Sequence, residues 1–220
     1  NYYILDKKYD TAFNYLLTIV KKNYEGLEED SIIMVNEQIG LLYYAKGQID
    51  DAIKFFEILG EQRNNDVNVY SNLAGAYIKK GDGITALEYA LIAAKLGPKK
   101  VYTRYNLGTA FYNLGQDKEA IKFLRQAINS GKDDLKNYST VHNAYLNLSL
   151  VFWNIANKTM KEMNALNNTT ESQSKYKVLK AKMDDNFQKS IAVLEEGVRT
   201  YPKAQGLRTR LNKFKAAVPK

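Results

Sequence analysis

The stretch YNLGTAFY at residues 105–112 decides the fold, because its pattern recurs at a spacing of 34 residues. A branched apolar residue, a small residue and an aromatic residue keep this spacing three times: Ile39, Leu73 and Leu107; Gly40, Ala74 and Gly108; and Tyr43, Tyr77 and Phe111. Later in each period come Gly47, Gly81 and Gly115, followed by Ala52, Ala86 and Ala120. Several columns that share one period indicate a repeat protein.

Each period divides into two amphipathic segments, such as 69–80 and 83–96, which are separated by Lys-Gly-Asp. Glycine ends a helix by adopting the left-handed conformation, so each period is predicted to form a helical hairpin. The small residues at Gly108 and Ala120 are expected to let the two helices approach closely. The composition, with three prolines and 45% hydrophobic residues, agrees with an all-α chain that buries a continuous core.

The residues quoted above, together with Leu124, Ala127 and the prolines at 98 and 202, resemble the tetratricopeptide repeat family. The resemblance implies an α-α superhelical solenoid of antiparallel helix pairs. It assigns full repeats to 33–66, 67–100 and 101–134 within a single domain over residues 1–220. A partial repeat and linker at 1–32, an extended repeat at 142–202 and a basic capping helix at 203–220 complete this domain.

The last repeat is longer than the period allows. Its first helix begins near Leu146, but the pattern of its second helix returns only at Ser190, which indicates an insertion of about 29 residues. Helical stripes run on either side of a polar turn at 167–174, for which Thr170 is a candidate cap. We therefore expect a long helical hairpin that protrudes at about 156–185; a disordered excursion is the alternative.

In the family that the chain resembles, the first helix of each repeat lines a concave groove. The matching groove positions contain amides and aromatic rings, which suit the binding of a peptide or a partner helix. We expect the amides to form a ladder along the groove floor, with local helix-to-helix hydrogen bonds as the alternative. The candidate partner-binding residues are Gln38, Tyr44, Asn72, Tyr102, Tyr105, Asn106, Thr109, Tyr112, Asn147 and Trp153.

Some members of the family clamp an acidic C-terminal tail with lysine, asparagine and arginine side chains. The matching positions here carry Glu37 and Leu41, then Asn72, then Tyr102 and Asn106, of which only Asn72 fits. The resemblance therefore does not imply a carboxylate clamp.

No catalytic pattern is present in the sequence. The chain has no cysteine and one histidine, His142, placed before the first helix of the last repeat, and it lacks phosphate-binding glycine loops and zinc-binding helix motifs. Adjacent acidic pairs such as Asp184 and Asp185 are expected to be helix caps or solvated surface. The sequence predicts a non-enzymatic protein that needs no metal or cofactor.

The net charge of +8 comes entirely from the C-terminal region, because residues 1–157 contain 18 basic and 18 acidic residues. The basic region could meet an acidic partner or an anionic lipid surface, although a solvated helix face is the simpler interpretation. Nucleic acid is a less favoured partner, since no known binding motif accompanies the charge. An adaptor that binds a protein or peptide in the groove is the leading hypothesis, and assembly through the hairpin or the basic region is the alternative.

No apolar run is long enough to span a bilayer. The location was expected to be cytoplasmic, or periplasmic or at the cell envelope if a signal or anchor precedes Asn1.

Overall fold

The structure is a computed structural model that describes residues 2–166 and 170–219, with the side chains of 2–9 and 170 left out. Helices make up most of this part, and it contains no β-strand. The α-helices are α1 Tyr2–Lys21, α2 Glu29–Ala45, α3 Ile49–Gln62, α4 Val67–Lys80, α5 Gly83–Leu96, α6 Val101–Asn113, α7 Asp117–Gly131, α8 Tyr138–Asn164, α9 Thr170–Thr200 and α10 Gln205–Ala217. The predicted all-α fold and its helical hairpins are confirmed.

The helices form two compact units, unit 1 at residues 1–98 and unit 2 at residues 99–220, where a single domain was expected. Helix α5 ends at Leu96, and Gly97 leaves the helical conformation with φ −135°. Pro98 follows directly. Proline has no backbone N–H with which to continue the hydrogen bonding of a helix. Gly97 and Pro98 therefore form a short non-helical segment at the boundary between the two units.

The turns between paired helices have a common geometry. Gly47, Gly81 and Gly115 have φ values of +79°, +85° and +72°. Residues with a Cβ rarely adopt these angles, which explains why glycine returns at each period. The turn after α4 is completed by Asp82, whose carboxylate accepts a hydrogen bond from the Thr85 backbone N–H at 3.1 Å and so caps α5.

An aromatic pair joins the two helices of each full repeat. The ring centroids of Tyr43 and Phe55 are 5.7 Å apart, those of Tyr77 and Tyr89 5.5 Å, and those of Phe111 and Phe123 5.6 Å. All three pairs are stacked and separated by 12 residues in the sequence. The 34-residue period therefore repeats a specific side-chain contact as well as a composition.

Glycines inside the first helices allow the paired helices to touch. A Cβ added to Gly40 would lie 2.6 Å from Cε1 of Phe56, and one added to Gly108 would lie 2.9 Å from the backbone nitrogen of Leu124. Real Cβ atoms do not approach other heavy atoms this closely. The predicted steric role of these small residues is therefore confirmed.

Helices α8 and α9, with 27 and 31 residues, are about twice as long as α6 and α7, with 13 and 15. They pack on each other, and the Ser190 hydroxyl donates to the carbonyl oxygen of Ser149 at 2.8 Å between fully buried side chains. Ser149 and Ser190 thus occupy the places of Gly108 and Ala120 in the preceding repeat. The expected insertion stays a prediction, and its tip at 167–169, with the proposed Thr170 cap, lies outside the described side chains.

Two helix starts differ from the sequence-based prediction. Helix α2 begins at Glu29 instead of near Ile33, because Glu29 and Asp30 in its first turn favour the positive end of the helix dipole. Helix α8 begins at Tyr138, so His142 lies within it instead of before it, with its ring 5.8 Å from that of Tyr138.

A partly buried polar network ties α7, α8 and α9 together. The Tyr145 hydroxyl donates to Oε1 of Glu196 at 3.0 Å, and Nη1 of Arg125 donates to Oε2 of the same carboxylate at 2.7 Å. Tyr145 is fully buried. Burial, reinforced by the Glu196 charge, raises the pKa of Tyr145 to about 12.

We expect this tyrosine to make the fold sensitive to alkali. Its pKa in the unfolded chain is close to 10.0, so between pH 10 and pH 12 the native state holds a proton that the unfolded state releases. The free energy of unfolding should be unaffected by this group below pH 10 and should fall as the pH rises from 10 to about 12, the native pKa. Urea unfolding at several pH values should show a shallower alkaline loss in Tyr145→Phe than in the wild type; equal slopes would contradict the prediction.

Candidate functional site

The first helices of the last two repeats, α6 and α8, are joined by a side-chain amide. Nδ2 of Asn147 lies 3.3 Å from the Tyr105 hydroxyl and 3.1 Å from Oγ1 of Thr109. Thr109 in turn donates to the Tyr105 carbonyl oxygen at 2.9 Å. This cluster brings three of the predicted site residues together.

A second amide makes the same kind of contact between α6 and α8, seven residues further along each helix. Nδ2 of Asn154 donates to the Tyr112 hydroxyl at 2.8 Å. Residues seven apart lie on the same helix face, so the Tyr105–Asn147 and Tyr112–Asn154 pairs are two steps of one arrangement. We call the surface formed by Tyr105, Tyr112, Asn147 and Asn154 the α6–α8 surface.

Helix α8 extends this surface with a stripe that sequence reasoning missed. Asn143, Asn147, Leu150, Asn154 and Asn157 follow one another at alternating steps of four and three residues, and all are half-buried. Such steps keep side chains on one face of a helix. The recurrence of asparagine at 147 and 154, and at 143 and 157 around them, is the pattern that could have revealed the stripe.

The side-chain amides of Asn147 and Asn154 each have an oxygen that can accept a hydrogen bond from a ligand. Their Nδ2 groups are committed to α6, and within the described part of the chain their Oδ1 atoms have no hydrogen-bond partner. Burial raises the pKa of the Tyr105 hydroxyl, while its bonds to Thr109 and Asn147 lower it by a smaller amount. The tyrosine therefore stays neutral, and the surface presents oriented carbonyl oxygens beside aromatic rings.

The amides of the predicted ladder differ in exposure, and the ladder itself stays a prediction. Gln38 is exposed and Asn72 half-buried in unit 1, whereas in unit 2 Asn106 is only 7% exposed. Asn106 is therefore mostly covered by its neighbours, whereas Gln38 is open to solvent. The Nδ2 group of Asn147 makes helix-to-helix contacts of the kind that the alternative describes.

The aromatic candidates also differ in their surroundings. Tyr44 in unit 1 packs next to Gly75, and Nζ of Lys79 lies 3.8 Å from the centroid of its ring. Tyr102 is half-buried on the first turns of α6. Trp153 was expected in the groove, but its ring stacks on Phe214 with centroids 4.0 Å apart and meets Phe187 edge-on at 4.7 Å. Trp153 therefore packs α8 against α9 and α10.

A metal site and a membrane span receive no support from the described residues. Among them, no three histidine or acidic side chains are gathered in a way that could hold a metal ion. No helix in that part has the length and hydropathy needed to cross a membrane.

The sequence matches the description "Tetratricopeptide repeat" in two places, residues 38–63 and residues 101–130. It is 31% identical over 86 residues to a peroxisomal targeting signal receptor of Saccharomyces cerevisiae, an alignment that covers 39% of this chain and 14% of the receptor. It is 28% identical over 94 residues to human superkiller complex protein 3, covering 43% and 6% respectively. The chain thus spans only between 6% and 15% of the length of the curated relatives it matches.

Solved structures with the same fold include MamA, with a TM-score of 0.57 at 15% identity, over 89% of this chain and 94% of MamA. PcrH from Pseudomonas aeruginosa has a TM-score of 0.51 at 21% identity, over 57% of this chain and 95% of PcrH. At these identities the similarity concerns the fold.

Proposed function

This chain belongs to the tetratricopeptide repeat family, and from that membership we propose that it is a non-enzymatic protein-binding module that holds an extended peptide on the α6–α8 surface. The observation that carries the proposal is the pair of oriented amides, Asn147 and Asn154, each fixed by a tyrosine of α6. The partner is accordingly another protein, which contributes an extended segment.

The geometry suits a peptide backbone. An extended chain offers N–H groups at regular intervals, and carbonyl oxygens fixed in advance can accept from them without reading the peptide's sequence. Because the amides are already immobilised by Tyr105 and Tyr112, little side-chain entropy is lost when the peptide binds. The tyrosine rings add contact area at low entropic cost.

The relatives agree with such a role. The matched proteins from three yeasts are named peroxisomal targeting signal receptors, and reception of a targeting signal is a protein-recognition task. We extend only this general role to the present chain and leave the identity of the bound segment to experiment.

The test is to select binders from a library of extended peptides and to measure their affinity for the double variant Asn147→Ala with Asn154→Ala. Each lost hydrogen bond is expected to weaken binding by roughly tenfold, at about 1–1.5 kcal/mol per bond. Fluorescence of Trp153, the only tryptophan in the chain, and circular dichroism report whether unit 2 remains folded.

A matched control is Asn129→Ala with Asn212→Ala, which removes two exposed amides from α7 and α10. This variant should bind selected peptides as the wild type does. Unchanged affinity in the Asn147 and Asn154 double variant, with the fold intact, would refute the α6–α8 surface as the binding site.

Docking through the end of the α8–α9 hairpin is a second candidate. A pocket of about 510 Å³ lies there beside Met163, Leu166 and Tyr176, and both Tyr176 and Val178 are exposed. If Tyr176→Ala abolishes partner binding while the Asn147 and Asn154 double variant does not, this candidate replaces the first.

A further inference from the structure

A second pocket lies in unit 1, where residues of α3, α4 and α5 line it. It has a volume of about 500 Å³ and is lined by Glu57, Gly60, Glu61, Tyr70, Leu73, Tyr89 and Ile92. Leu73 is only 1% exposed. We call this the tyrosine pocket; all of its residues belong to unit 1, and none lies on the α6–α8 surface.

Three tyrosine rings are stacked along it. Tyr89 of α5 contacts two tyrosines of α4, with its centroid 6.2 Å from that of Tyr70 and 5.5 Å from that of Tyr77. The interplanar angles are 25° and 23°. Tyr70 and Tyr89 are both partly exposed, and an exposed, electron-rich ring face attracts a cation placed over it.

Two carboxylates belong to the same pocket. Glu57 and Glu61 are one helical turn apart on α3, so they project from one face and repel each other. The Tyr77 hydroxyl donates to Oε1 of Glu57 at 3.0 Å, which orients that carboxylate. Burial, with Glu57 adding to it, raises the pKa of Tyr77 to about 12, and the same two causes raise the pKa of Tyr89.

The two carboxylates are exposed, and neither Glu57 nor Glu61 is in an ion pair within the described part of the chain. Lysine and arginine are absent from the residues that line the pocket. Nζ of Lys80 approaches Tyr77 to 5.9 Å from its ring centroid, but this lysine pairs with Asp50 at 2.7 Å. The pKa of Lys80 is raised mainly by Asp50 and to a smaller degree by the charge of Glu57.

The equivalent positions in the other repeats show which of these residues serve helix packing and which are particular to this pocket. The Tyr77–Tyr89 stack has counterparts in the other two full repeats, so helix packing accounts for it. Tyr70, Glu57 and Glu61 have no such counterparts: 34 residues later stand Arg104, Leu91 and Lys95. In unit 2, two periods after Glu57, Arg125 supplies the opposite charge and pairs with Glu196 at 2.7 Å.

We propose that the tyrosine pocket binds an arginine side chain from a basic segment of a partner protein. A guanidinium is flat enough to lie against the rings of Tyr70 and Tyr89, and its N–H groups can donate to the carboxylates of Glu57 and Glu61. This interaction surface is independent of the proposed peptide site in unit 2, so either can fail without the other.

The test is a nuclear magnetic resonance titration of the full chain with acetyl-Gly-Gly-Arg-Gly-Gly-amide, following the ring signals of Tyr70 and Tyr89. The matched probe replaces arginine with citrulline, which keeps the shape and removes the charge. The arginine peptide should give saturable shifts in these two rings, and the citrulline peptide should bind at least about tenfold more weakly. Added salt should weaken the arginine complex by screening.

Two variants localise the binding. Gly60→Leu should abolish it by filling the pocket while keeping both carboxylates; a Cβ at Gly60 would lie 3.9 Å from its nearest neighbours, so the helix accepts a side chain there. Glu57→Gln with Glu61→Gln should weaken binding by at least about tenfold. Glu119→Gln with Glu162→Gln makes the same change in net charge at exposed positions of unit 2 and should have no effect.

Three results would overturn the proposal. They are the absence of saturable ring shifts with the arginine peptide, equal binding of the arginine and citrulline peptides, and full binding by a folded Gly60→Leu variant.

Discussion

Replacing Gly108 with alanine is expected to lower the free energy of unfolding by about 1–3 kcal/mol, although alanine is the better helix former. The added Cβ would lie 2.7 Å from Cγ of Leu124 and 2.9 Å from its backbone nitrogen. Leu124 is fully buried, so its side chain has no free space to enter. Relief therefore requires α6 and α7 to move apart, which loosens the packing around them.

Gly75→Ala is the matched control, because this glycine is also inside a first helix. A Cβ there would meet only the Tyr44 hydroxyl, at 3.4 Å, which is an ordinary contact. Alanine at residue 75 is expected to leave the stability unchanged or to raise it by up to about 1 kcal/mol. Urea unfolding followed by circular dichroism checks both variants, and a stability gain in Gly108→Ala equal to that in Gly75→Ala would contradict the close approach of α6 and α7.

Replacing Phe214 with alanine is expected to release α10 from unit 2, at a cost of about 3–5 kcal/mol. Phe214 is 4% exposed, and its ring stacks on Trp153 with centroids 4.0 Å apart. Loss of this ring opens a cavity between α8 and α10 and admits water to the indole. The emission of Trp153 should therefore shift to longer wavelength.

Hydrogen exchange should locate the change. Amide protection is expected to fall first in α10, because that helix would lose its principal aromatic anchor. Lys213→Ala, an exposed substitution one residue away, should leave both the emission and the protection unchanged. Trp153 emission that is unaltered in Phe214→Ala would show that α10 does not depend on this stack.

The two parts of the candidate site were predictable to different degrees. Tyr105, Thr109 and Asn147 were selected from repeat positions alone, and the structure brings them within hydrogen-bonding distance. Asn154 was not selected, although its repeat position is one of those expected to face the groove. Its role depends on α8 continuing in one unbroken helix past the length of α6.

The exposure of individual residues was the least predictable property. Asn106 and Asn147 occupy equivalent positions in their repeats, yet Asn106 is buried and Asn147 half-buried. Trp153 was expected in the groove, but its ring packs against Phe187 and Phe214. Both outcomes depend on residues distant in sequence that the 34-residue period does not specify.

By itself the sequence determined the repeat: where helices turn at Gly47, Gly81 and Gly115, and which small residues face one another, because backbone conformation and steric contact between paired helices are local and recur with the period. Only the tertiary structure decided that the amide donors of Asn147 and Asn154 are used within the protein and that the ring of Trp153 packs on two phenylalanines. It also decided where carboxylates outside any ion pair lie beside the stacked tyrosines. These properties arise when α3, α4 and α5, or α6, α8 and α10, come together. Burial and electrostatic field depend on all the atoms around a group, whereas the period records only a few of them.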